Sequence, residues 1–147
     1  YISIVIMKNM HNMQNNHYVV MFFIMIVSGA LSTMNMWVDK WDDVRFSLND
    51  VYMILLMTGW MFLFMGLFFK ERTPLIVGAI LVIGNFWCIR TQFLINEDQY
   101  KLGMIPHHSM AIHMSKKLLE KKNNIQPFLK NLIVTQENEI LFMKNGK

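Results

Sequence analysis

The chain has 147 residues, 54% of them hydrophobic and 16% charged, with a formal net charge of +4. That balance points away from an ordinary soluble globule, in which about a quarter of the residues carry charge. The single cysteine, Cys88, rules out a disulfide within one chain and any thiolate metal motif, and the basic residues are not interleaved with aromatics as in a nucleic-acid binder.

Residues 1–17 read as a polar leader. Met7-Lys8 would make a natural beginning, and "MKNMHNMQNNH", Met7 to His17, places His11 and His17 among thioethers. Such a tract can capture soft ions or serve as plain polar leader. Lys8 before an apolar run has the form of a signal peptide, with Ser28-Gly29-Ala30 as a cleavage site, but the run continues to Trp37 and is expected to stay as an anchor.

Residues 18–95 read as a transmembrane domain with helices over 18–37, 51–69 and 75–95, each matching the roughly 20 residues that cross roughly 30 Å of hydrocarbon. The first two contain no charge. The third contains Asn85 and Arg90, and Arg90 must snorkel to an interface or find a partner; Pro74 suits its first turn. Val38 to Ser47 form an acidic connection, with Trp37 and Trp41 at interfacial depth, and "KERT", Lys70 to Thr73, leaves room only for a tight helical hairpin. Met53, Met57, Met61 and Met65 recur at helical spacing, a stripe suited to packing or lipid contact before a sulfur path for copper. The lysine- and arginine-bearing second connection is expected on the cytoplasm-like side, which puts the carboxy-terminal domain on the exoplasmic, periplasm-like side.

Residues 96–147 read as a helical domain rich in His and Met. One helix is expected over 97–120 and a second over 127–143, started by Pro127 and stopped near Asn145-Gly146, with a polar break over 121–126. The fold expected is all-α, three transmembrane helices followed by a helical hairpin.

The first tail helix carries "MIPHHSMAIHM", Met104 to Met114. At about 100° per residue, Met104, His107, His108, Ala111, Met114 and Leu118 share one side, while His113 points roughly opposite. Pro106 removes a helical hydrogen bond just after Gly103, so a kink or restart is expected before the histidines. On the second helix Gln136, Glu139, Ile140 and Met143 share a face. If the faces meet, imidazole nitrogens, thioether sulfurs and one carboxylate converge. Copper as Cu(I), or opportunistically Ag(I), suits those donors, with zinc behind it. Binding needs neutral imidazoles, so affinity is expected to fall below about pH 6. No Glu-x-x-His pair supports a di-iron site, and no hydrolytic triad is present.

These residues resemble the domain-of-unknown-function 305 family. Its Met-x-Pro-His-His-x-x-Ala-x-x-Met helix stands here as Met104, Pro106, His107, His108, Ala111 and Met114, and its Gln-x-x-Glu-Ile-x-x-Met as Gln136, Glu139, Ile140 and Met143. "YMILLMTGWM", Tyr52 to Met61, and Arg90-Thr91-Gln92 are similar to the branch of the family with preceding membrane helices, whereas Trp60, Glu97 and Tyr100 depart from its pattern. The resemblance implies a ferritin-like helical tail, copper or silver binding outside the cytoplasm in some members, and no established reaction.

The expected function is an integral membrane protein that holds copper through His107 and His108, assisted by Met104, Met114, Glu139 and Met143, for tolerance or delivery. The rival is a structural accessory subunit with no metal, meeting other membrane subunits or copies of itself. A copper-dependent oxidoreductase comes third, and no nucleic-acid partner is expected.

Overall fold

A computed structural model describes residues 2–145, with side chains from residue 17 onward. The soft-ion reading of Met7 to His17 therefore falls almost wholly outside the described side chains. The helices are α1 (Ile2–Leu31), α2 (Leu48–Phe69), α3 (Arg72–Thr91), α4 (Glu97–Leu119) and α5 (Gln126–Asn145), with 3-10 turns at Met34–Trp37 and Trp41–Asp43 between α1 and α2. The fold is all-α, three apolar helices followed by a two-helix hairpin. Segments long and apolar enough to cross a membrane are His17–Trp37, Leu48–Phe69 and Arg72–Thr91.

The chain forms two compact units: α1 with Tyr52–Thr91, and Ser32–Val51 with Gln92 to the end of α5. In the first, glycines let the helices approach backbone to backbone. A Cβ on Gly78 would fall on the Leu63 backbone nitrogen and 2.8 Å from the Gly59 carbonyl oxygen, and one on Gly59 would stand 2.8 Å from the Leu81 Cβ. Gly29 is similarly crowded by Ile54 and Met57. The hairpin between α2 and α3 turns at Lys70, whose φ of 57° is left-handed, while the Glu71 amide donates to the Gly66 carbonyl at 2.9 Å. That six-to-one bond closes a helix end with few residues, as so short a connection requires.

Buried polar side chains in this unit bond to their own helix. Thr58, fully buried, donates from Oγ1 to the Ile54 carbonyl at 2.8 Å, and Asn85 donates to that of Leu81 at 2.8 Å. In hydrocarbon an unmet polar group costs several kcal/mol, and bonding four residues back avoids that cost without a partner helix.

The second unit is built on the α4–α5 hairpin. Asn96 caps α4, its Oδ1 accepting from the Gln99 amide at 2.9 Å, and Glu97 and Asp98 occupy the first turn where the helix dipole favours acids. Ile105, Ile112 and Ile140 form the core, with Ile133 and Met143 against it. The seven-residue spacing of Ile105 with Ile112, and of Ile133 with Ile140, aligns one seam on each helix. α4 runs unbroken through Pro106, whose ring is fully buried, so the restart expected there does not occur.

The buried stripe of α4 is Ile105, Ser109, Ile112 and Ser115, displaced from the Met104–His107–Met114 side. Ser109 is covered by the first connection. Fully buried, it donates from Oγ to Asp43 Oδ2 at 2.6 Å and accepts from the Asp39 amide at 2.9 Å. Lys116 bonds Asp39 at 2.7 Å, and Lys144 reaches Asp43 at 2.7 Å and, still closer, Asp42. Burial pulls Lys144 down, yet its bonds to Asp42 and Asp43 carry its pKa above the ordinary lysine value. At the far end of the connection, Ser47 and Asp50 form a reciprocal capping box at the start of α2, and the Leu48 amide donates to Gln99 Oε1 at 2.7 Å. Residues 32–51 thus pack with the tail helices.

Candidate metal site

Consecutive residues on α4 point about 100° apart, and His107 and His108 accordingly take different surroundings, their rings 6.1 Å apart and steeply inclined. His108 turns toward α5. Its Nδ1 lies 2.9 Å from Glu139 Oε2, but the approach is off the ring N–H direction, so this nitrogen, shut off from solvent, makes no aligned hydrogen bond. Met143, one turn beyond Glu139, packs into the isoleucine core.

His107 turns outward and is exposed. It lines a groove of about 650 Å³ together with Trp37, Met110, His113, Met114, Lys117 and Lys121, and with Phe128 and Leu132 of α5. The His107 Nδ1 stands 3.3 Å from the sulfur of Met34.

The six residues expected to share one site therefore divide. His108 and Glu139 meet, with Met143 in the adjoining core; His107 and Met114 line the groove, where Met114 is 55% exposed; Met104 is half-buried and belongs to neither lining. His113, expected on the opposite side, lines the groove with His107. The groove spans more of the helix circumference than one narrow face. Sequence reasoning missed Met34 and Trp37, which lie in the first connection; the local signal for them is the pair of methionines flanking Asn35 in "MNMW". Among the described residues no three His, Cys, Asp or Glu side chains gather at one point. What does gather is imidazole with thioether.

Burial holds His108 below the ordinary imidazole value of 6.5, the Glu139 charge opposes it, and neighbouring His107 adds to the lowering. Between 6.5 and that lower value the unfolded chain takes up a proton that folded His108 refuses, so stability falls as pH falls through this window and levels off below it. Glu139→Gln removes the opposing charge and is expected to move the His108 titration further down, read from its ring resonances by NMR. An upward move would mean that burial does not dominate.

Residues 95–146 match the family model described as "Domain of unknown function (DUF305)". "Uncharacterized protein L153" of Acanthamoeba polyphaga mimivirus is 41% identical, the alignment covering 87% of this chain and 89% of that protein. No solved structure matches the chain. With its His-His helix inside the matched residues, apolar helices before it and a relative alike over nearly its whole length, the chain belongs to the DUF305 family.

Proposed function

We propose that this chain is an integral membrane protein whose tail, on the exoplasmic side, binds a soft metal ion, copper as Cu(I), for tolerance or delivery. The observation that carries the reading is the groove in which His107 and His113 stand with the thioethers of Met110 and Met114. Thioethers prefer soft ions and imidazole accepts them, so the donor set fits Cu(I), or Ag(I), better than a hard cation. Zinc, usually held by several nitrogen, oxygen or thiolate donors, comes behind copper.

In this reading His107 is the first donor and Met114 assists it from the same groove. His108 meets Glu139 in the hairpin, with Met143 in the adjoining core, and Met104 flanks the same stretch of α4. A ferritin-like bundle for the tail is what the family resemblance implies. Competition titration of the full-length chain with Cu(I) against a coloured chelator tests the proposal. Uptake of about one ion per chain supports it, and no uptake overturns it.

A second reading, a metal-free accessory subunit of a larger membrane assembly, draws on the His108–Glu139 contact, which ties α4 to α5 without an ion. It expects no copper uptake and unchanged assembly when His107 alone is replaced.

A further inference from the structure

We propose that Met34, which lies outside the matched family domain, is a ligand of the same ion and makes the site selective for soft monovalent metals. This rests on the copper reading above and adds a residue to it from the first connection.

The observation is the approach of the Met34 sulfur to the His107 Nδ1, 3.3 Å apart. Two donors of one ion, with metal–nitrogen and metal–sulfur bonds of roughly 2.0 and 2.3 Å at a near-tetrahedral angle, stand roughly 3.3–3.6 Å from each other. The pair stands at ligand spacing, a separation that a hydrogen bond from the ring N–H to the sulfur also gives. Both residues are exposed, Met34 near the end of the apolar segment His17–Trp37.

The contact belongs to a fixed piece of structure. Met34 opens the 3-10 turn that ends at Trp37, a groove residue. Asn35 holds that turn from one side, donating to Thr33 Oγ1 at 3.2 Å and accepting from the Arg45 amide at 2.9 Å. From the other side the Asp39 amide is bonded to Ser109, two residues after His107 on α4. The sulfur and the ring are therefore referenced to the same short stretch of helix. A thioether is a weak hydrogen-bond acceptor, and a polar side chain there would serve a merely structural contact better.

The experiment uses the full-length chain in detergent, titrated with Cu(I) and separately with Zn²⁺, with X-ray absorption of the Cu(I)-loaded protein. Met34→Leu keeps volume and removes sulfur. The expected result is Cu(I) affinity lower by about tenfold or more, loss of one sulfur from the copper shell, and no change in Zn²⁺ binding. Met34→His supplies nitrogen instead and is expected to restore metal binding while shifting preference toward Zn²⁺. If His107→Ala abolishes Cu(I) binding but Met34→Leu leaves affinity and sulfur shell unchanged, Met34 is not a ligand and the copper reading stands. If wild-type protein binds no Cu(I), both are wrong.

Discussion

Replacing His107 and His108 together by alanine is expected to lower Cu(I) affinity by at least about 100-fold while leaving the chain folded. The two rings contribute differently. Truncating His107 removes a donor in direct reach of Met34 and the groove, and because the ring is exposed it opens no cavity. His108→Ala removes a mostly buried ring beside Glu139, so the carboxylate loses the partner that orients it. The single variants separate these effects: His107→Ala carries most of the affinity loss, and His108→Ala a smaller loss with a measurable fall in thermal stability. Equal losses from the two would place the ion between the rings. Equilibrium competition for affinity, together with thermal unfolding for stability, reads both outcomes.

Asp43→Ala is expected to be the most destabilising change in the second unit, by about 3 kcal/mol. Asp43 is 2% exposed, accepts from fully buried Ser109, and pairs with Lys144. Its removal leaves the buried Ser109 hydroxyl with no acceptor for its proton, and leaves the half-buried Lys144 with the exposed Asp42 carboxylate and carbonyl. Breaking a buried pair from one side costs far more than breaking a surface pair, because the remaining group keeps its desolvation penalty. Asp43→Asn, which can still accept from Ser109, is expected to cost less. Lys117→Ala provides the contrast: its bond to Glu120 is exposed at both ends and is of the surface kind that contributes little. Thermal unfolding of the solubilised chain, monitored by the near-ultraviolet signal of its four tryptophans, checks the ranking. An Asp43→Ala variant no less stable than Lys117→Ala would show that the first connection is not docked on α4.

The three apolar helices and the hairpin are readable from composition and period, since each depends on residues close in sequence, whereas the first helix, expected to reach 37, gives way to 3-10 turns after Leu31 and the third, expected to reach 95, ends at Thr91. Uncharged runs of membrane length, Asn96 before two acids, and Pro127 with Asn145-Gly146 are local signals. The docking of the first connection is not readable in this way. It depends on Asp43 meeting Ser109, and Asp42 meeting Lys144, across 66 and 102 residues. Ser109 and Ser115 also look like surface positions in a pattern scored by hydrophobicity, although a buried acid and a backbone amide make Ser109 part of the interior. Hydrophobic periodicity alone therefore sets the core-facing stripe of α4 one residue away from its true position. The same displacement separates His107 from His108: only the latter looks into the hairpin, and the former finds its sulfur partner in a turn that periodicity on α4 cannot reveal.

Elemental analysis of the full-length chain, purified from its own membrane without added metal or chelator, tests the copper claim most directly. The expected result is copper close to one atom per chain, lost on replacement of His107. Protein that is folded and carries no copper, or carries copper undiminished after that replacement, would contradict the assignment of this groove as a soft-metal site.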